Sequence, residues 1–436
     1  NQCMVLLSTT EHQQLAIWNY ELGMKAKMAG LFNNARQYFN QSLRFLPDNK
    51  WQIMREQSLE IYMEIGECEY LIGNYQLSKH YIYEALDNAL TKLEQLKIYR
   101  LMSFIFIEEH NSEMELDPGL KALDLCQMNI NLEPKSWEVA KVFFQLKFAL
   151  RNQTNEQLLS LKPIQDEEID VIIQIMINVI GNSFRKSQNL TGMLMLRLMR
   201  LQLKHGAATE NAVVFINYAL MLISGFNDVK EALRFGNLAA NLADESKNTY
   251  IKARVYFINS IFLNHWQHKY ESSIEKMRTV QQYQEQLGLY YNLTVMSCFL
   301  CNAKLLDGRT LQEISEEMAY QKKIYGKYSS PLAQDFLAEL SHWIHVLQTP
   351  DAKVNWHAQI TLINEETVAS MHYILRLRMA YLFKNEEQLQ HLLEKLAQQS
   401  SQVFSLPTTP VYHFFRTLCY FDFLNGEQSH RFSNNT

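Results

Sequence analysis

The sequence predicts an all-α fold, a right-handed superhelix of stacked helix–turn–helix repeats. Three observations predict it. Helix breakers are scarce, with 14 Gly and 8 Pro among 436 residues, while Leu, Gln, Glu, Ala and Met are plentiful. Alternation of apolar and polar residues over strand-like lengths is hard to find. A set of landmarks also recurs at a constant spacing of 43 positions, with Gly23, Gly30 and Ala35 answered by Gly66, Gly73 and Ser78.

Each landmark has a packing reason. Small residues at Ala35 and Ser78 let the second helix of a pair approach the first. Gly30 and Gly73 suit the turn between the two helices, where a positive φ costs glycine little. Phe39 and Ile82, four residues beyond the small positions, share their helix face and fill the space between the pair. Leu46-Pro47-Asp48 closes the first pair. These offsets are those of a tetratricopeptide (TPR-like) unit. Such a unit cannot bury its apolar face alone and must stack on neighbours.

Residues 11–105 thus read as two helix pairs. A third begins near Leu120-Lys121-Ala122, after a polar stretch from His110 to Gly119 that is expected to form a longer loop. Asn152–Pro163 is expected to break the array, since Arg151-Asn-Gln-Thr-Asn155 lacks apolar periodicity. Asp166, Glu167, Glu168 and Asp170 then open a helix whose N-terminal dipole they complement. The rhythm resumes with Tyr218–Leu222, a turn at Gly225-Phe226-Asn227, and Ala232 with Ala239. It continues with a helix over Tyr256–Trp266, a turn near Lys269-Tyr270, and Ser273, Met277 and Val280. The resulting organisation is N-terminal TPR-like repeats over 1–151, a break over 152–163, and a second set over 164–350. A C-terminal helical cap over 351–425 and a polar tail over 426–436 complete it.

Bulk chemistry narrows the function classes. The net charge of −5, with Lys and Arg dispersed, offers no footprint for nucleic acid. The most apolar run, Val171–Ile180, is about half a bilayer span and contains Gln174 and Asn178, so no membrane partner is expected. Six cysteines in so long a chain suggest a reducing compartment, and a cytoplasmic location is expected. Asn1 in place of Met suggests a piece of a longer polypeptide.

No catalytic residue, metal or cofactor is expected. Gly326-Lys327 lacks the glycine and hydroxyl partners of a phosphate loop. Cys298-Phe-Leu-Cys301 has zinc spacing but sits in an apolar run without a second pair, which favours core packing. Two His-Trp-x-His elements begin at His265 and His342, and each puts two imidazoles on one helical face. Nothing in the sequence brings those helices together, and packing is the simpler role. Candidate recognition residues are Asn33, Asn34, Tyr70, Asn74 and Tyr75 in the N-terminal units, and Asn227, His265 and Trp266 in the middle ones. Asn can offer a donor and an acceptor to a peptide backbone, and it also forms turns and caps.

Gly66-Glu-Cys-Glu-Tyr-Leu-Ile-Gly73-Asn-Tyr75, Arg234-Phe-Gly-Asn-Leu-Ala239 and Asn264-His-Trp266 carry a further likeness. With them, the chain over roughly residues 15–350 resembles the helical region of large predicted-ATPase (AAA/STAND-type) multidomain signalling proteins. That resemblance implies a sensor or interaction module binding a protein, a peptide or a small ligand. It also implies attached ATPase or signalling domains in a longer chain. The alternative is a stand-alone scaffold or bacterial effector that binds a partner protein.

Overall fold

The computed structural model describes residues 8–105, 117–183, 187–325, 331–349, 352, 354, 356, 366–398 and 405–425. The chain forms two compact units, Asn1–Thr209 and Glu210–Thr436. The first holds α1 (Thr9–Met28), α2 (Phe32–Phe45), α3 (Lys50–Ile53), α4 (Arg55–Ile72), α5 (Tyr75–Asp87) and α6 (Lys92–Ile105). It continues with α7 (Asp117–Leu125), α8 (Ser136–Leu150), α9 (Asn155–Leu159), α10 (Glu167–Ser183) and α11 (Gln188–His205). The second holds α12 (Asn211–Phe226), α13 (Val229–Glu245), α14 (Thr249–Ile258), α15 (Tyr270–Gln286) and α16 (Tyr290–Leu306). It ends with α17 (Leu311–Tyr325), α18 (Pro331–Gln348), α19 (Glu366–Leu382), α20 (Glu386–Gln398) and α21 (Thr409–Asn425). Among the described residues there is no β-strand, and a single bridge joins Pro163 to Ala207.

Helix pairing follows the landmarks. Ser8 and Glu11 cap α1 reciprocally, and α1 packs along α2, which packs on α4, which packs along α5. The turns use Gly30 at φ 72° and Gly73 at φ 94°. Within each pair the approach is close. A Cβ on Gly23 would lie 2.4 Å from the Phe39 ring, and one on Gly66 would lie 2.6 Å from Ile82 Cγ1. Ser42 Oγ donates to the Ala16 carbonyl, and Ser78 Oγ donates to the Gly66 carbonyl at 2.7 Å. Phe39 and Ile82 are thereby buried, each contributing about 2–3 kcal/mol of apolar transfer.

The third layer departs from the expected loop. Asp117-Pro118-Gly119 opens α7, since proline loses nothing at the first helical turn, where the backbone N–H has no partner anyway. Gly119 there meets Val179 of α10. The remainder of the His110–Gly119 stretch, residues 110–116, lies outside the described residues. Residues 152–163 lie inside the first unit, where Thr154 and Gln157 cap the short α9 and Leu158 is buried. The division between the two units falls at Thr209/Glu210. The acidic start of α10 acts at the helix end: Asp166 accepts from the Glu168 N–H, and Glu167 and Glu168 pair with Lys97 and Lys92 of α6.

In the second unit, α12 packs on α13 and α14 on α15, with Tyr218 edge-on to Phe235 at 4.8 Å. The helix expected over Tyr256–Trp266 is not continuous. α14 stops at Ile258, and a π-turn over Asn259–Leu263 and a 3-10 turn over Asn264–Trp266 follow. Cys298 and Cys301 are buried in α16. Beyond α17 the helices persist, and α19, α20 and α21 share a core built on Ile374, Leu377, Leu392, Leu396 and Tyr412. The polar tail over 426–436 lies outside the described residues. No helix among the described residues is long and apolar enough to cross a membrane.

Gly23→Ala and Gly66→Ala place a methyl group against Phe39 and Ile82. Each is expected to destabilise by about 1–3 kcal/mol, read as a lowered urea midpoint for the transition of the first unit.

Candidate functional site

The first helices of successive pairs, α1 and α4, face one another across a cleft of about 230 Å³. Ala16, Ile17, Met54 and Ile61 supply its apolar wall, and Tyr20, Glu21, Gln57 and Glu60 its polar rim. The helical repeat sets this lining. Ala16, Ile17 and Tyr20 recur at three- and four-residue steps on α1, as Gln57, Glu60 and Ile61 do on α4. The Tyr20 hydroxyl hydrogen-bonds the Glu60 carboxylate. Burial, with Glu60 and Glu64 nearby, pushes Tyr20 well above the ordinary tyrosine range.

Charge continues along the same helices. Lys27 on α1 reaches Glu64 at 2.5 Å and Glu67 at 2.8 Å on α4. Burial opposes its ammonium charge, but Glu67 and Glu64 together hold its pKa above the lysine value. Arg55 pairs with Glu94 between α4 and α6, and Arg100 of α6 donates to Gln174 of α10 at 2.7 Å. The rim of the cleft is acidic, because Lys27 is engaged by its own two carboxylates while Glu21 and Glu60 stay exposed.

The residues predicted from sequence occupy other places. Asn33 and Asn34 are exposed in the first turn of α2. Tyr70 is buried, edge-on to Phe104 at 5.7 Å, with Tyr75 half-exposed beside it at 5.8 Å. Asn74 begins α5, and its Nδ2 donates at 2.7 Å to the buried carboxylate of Glu69, which Arg36 approaches at 3.6 Å. Asn227 sits at φ 53° and ends α12. The N-terminal set therefore gathers at the turns of the first two pairs, away from the cleft lining.

His265 and Trp266 mark a second polar centre, on the π-turn. In that turn the Asn264 N–H bonds the Asn259 carbonyl five residues back, so both buried Asn side chains face α15. Lys276 Nζ donates to Asn264 Oδ1 at 2.8 Å and to Asn259 Oδ1 at 3.4 Å. Asn264 Nδ2 donates to Ser273 Oγ at 2.9 Å, and Tyr256 bonds Asp244. Burial lowers Lys276 below the ordinary lysine value, with Asp244 acting against it. His265 stacks on Tyr270, and burial pushes its pKa down to about 4, partly offset by the Ile261 carbonyl. Trp266 stays half-exposed. Of the other His-Trp-x-His element, Trp343 is buried under Arg378 and His345 is exposed. Among the described residues, no three His, Cys, Asp or Glu side chains converge as metal ligands. Sequence reasoning passed over Tyr20, Glu60, Asn259 and Lys276, because each reads as an ordinary surface or helix residue until its neighbours are known.

No protein-family model matches the chain. It is 21% identical to the hybrid signal transduction histidine kinase G of Dictyostelium discoideum, over 76% of this chain and 11% of that protein. The chain thus corresponds in extent to about a tenth of that relative. Among solved structures, the crystal structure of a Rap protein complexed with competence and sporulation factor is similar at a TM-score of 0.48 and 11% identity. That similarity covers 94% of this chain and 98% of the other.

Asn74→Ala removes one partner of the buried Glu69 carboxylate and is expected to cost about 1–3 kcal/mol in urea unfolding, whatever it does to binding. Acid should weaken the second unit. An unfolded His265 takes up a proton below its ordinary 6.5, whereas the folded one stays neutral down to about 4. The stability this burial holds is complete above pH 6.5 and is lost as pH falls towards 4. His265→Phe should flatten that limb of a melting-temperature profile against pH.

Proposed function

We propose that this chain is a non-catalytic helical-repeat interaction module that binds a segment of a partner protein between α1 and α4. The observation that carries the reading is the cleft itself: an apolar wall of Ile17, Met54 and Ile61 beneath an acidic rim of Glu21 and Glu60. An apolar side chain fits the wall, and a neighbouring Lys or Arg answers the rim. A peptide entering there meets two first helices at once, so its occupancy biases their spacing and, through α2 and α5, the packing of the pairs.

The output we propose is an enzyme joined to the repeats in one longer polypeptide, of the ATPase-coupled or histidine-kinase signalling kind. The likeness to a stretch of a hybrid signal transduction histidine kinase supports this, since a corresponding segment there is a small part of a much longer chain.

The immobilised chain, used to select from a displayed random-peptide library, should enrich sequences that pair an apolar residue with Lys or Arg. Synthetic copies should bind about tenfold more weakly to Glu60→Lys, a change on an exposed position, because the rim then repels the cation. Selection without enrichment, or peptides that bind Glu60→Lys and Tyr20→Ala as tightly as the parent, would overturn the reading.

A further inference from the structure

The helix α8 is apolar on two opposite sides. Val139, Phe143, Leu146 and Leu150 are buried, each 5% exposed or less, and α8 packs on α11. Trp137, Phe144 and Phe148 point the other way and are 62%, 63% and 64% exposed. Scattered apolar residues on a surface need no explanation, but three large aromatic side chains in one stripe of one helix mark an interaction surface.

The stripe has a definite geometry. Trp137, Lys141, Phe144, Phe148 and Arg151 follow one another at alternating steps of four and three, the spacing of a coiled-coil seam. At 100° per residue they all fall within about 40° of Trp137 around the axis, and they run for about 21 Å. The Arg151 guanidinium lies 4.0 Å over the Phe148 ring, which holds it in the seam while leaving its N–H edge for a carboxylate. Residues 135–151 carry four cations, Lys135, Lys141, Lys147 and Arg151, and one acid, Glu138, whose carboxylate already accepts from the Lys135 N–H at 2.7 Å. In a chain of net charge −5 this is a local excess of positive charge.

We propose that the outward face of α8 docks an amphipathic α-helix of a partner protein whose apolar seam is flanked by Asp or Glu. The seam spacing selects a helix as the occupant, and charge complementarity selects an acidic one. A second copy packed in parallel would set Lys141 and Arg151 against their own counterparts, and in either direction it would bring a second set of cations with Glu138 as the one acid over residues 135–151. A membrane surface would carry Lys141 and Arg151, which lie within the aromatic stripe and not beside it, towards the acyl region. The surface belongs to α8 and is independent of the cleft between α1 and α4, so the two readings stand or fall separately.

The probes are two labelled designed helices of about three heptads with a Leu seam, one flanked by Glu and its twin by Lys, titrated with the whole chain in fluorescence anisotropy. The Glu-flanked helix should bind at least about tenfold more tightly than its twin, and more weakly as salt rises. Phe144→Ser with Phe148→Ser should abolish binding without changing the circular dichroism or the melting temperature, since both side chains face solvent. Lys141→Glu should shift the preference towards the Lys-flanked twin. The proposal is overturned if neither helix binds, if both bind equally, or if the double variant binds as the parent does. It is equally overturned if the stripe drives self-association in sedimentation, or binding to phosphatidylserine vesicles in place of the helix.

Discussion

The close contact between a glycine of one helix and a large apolar side chain of the next is the constraint on which the first unit rests. Where Phe39 meets Gly23 and Ile82 meets Gly66, the second helix lies against bare backbone. The approach brings Ser42 and Ser78 within hydrogen-bond reach of carbonyls on the first helix, at 2.6 and 2.7 Å. Those hydroxyls are buried, so the bonds remove what would otherwise be unpaired polar groups. Pairs held this way present their first helices side by side, and the α1/α4 cleft with its ion pairs follows from that order.

Both units join helices through charged side chains and through buried uncharged groups, the latter in the first unit including Asn178 Nδ2 donating to Ser103 Oγ. In the first, charged side chains bridge successive helices near the surface, as Lys27, Arg55 and Arg100 do. In the second, the buried pair Arg376–Glu339 joins α18 to α19, and a further buried network lies between α15, α16 and α17. Gln281, Ser297 and Gln321 bond one another between α15, α16 and α17, with Gln321 also donating to Glu317. Lys304 and Arg278 neutralise that carboxylate, and their interactions lower its pKa against the effect of burial. A satisfied network of this kind specifies register, because a shifted helix would leave several buried groups without partners.

The π-turn is another such device. A regular helix places residues five apart on different sides, whereas the wider turn puts Asn259 and Asn264 on one side for Lys276. It lies within the first helical stretch of its pair, ahead of the inter-helix turn near Lys269-Tyr270, and Gly236 of α13 packs closely against Leu263 at its end.

The sequence by itself determined the all-α class, the pairing of α1 with α2 and of α4 with α5, and the turns at Gly30, Gly73 and Asn227. These depend on local rules, namely helical periodicity, scarce breakers and cheap positive φ, that act within a few residues. It also identified the acids that open α10, because a helix dipole is local as well. Only the tertiary structure decided which face of a helix is core. Trp137, Phe144 and Phe148 carry the same spacing as buried side chains, and only the packing of Val139 and Phe143 towards α11 leaves them outside. The same holds for Tyr20 and Glu60, and for Lys27 with Glu64. They lie about forty positions apart, and such partners meet only through the stacking of one helix pair on the next.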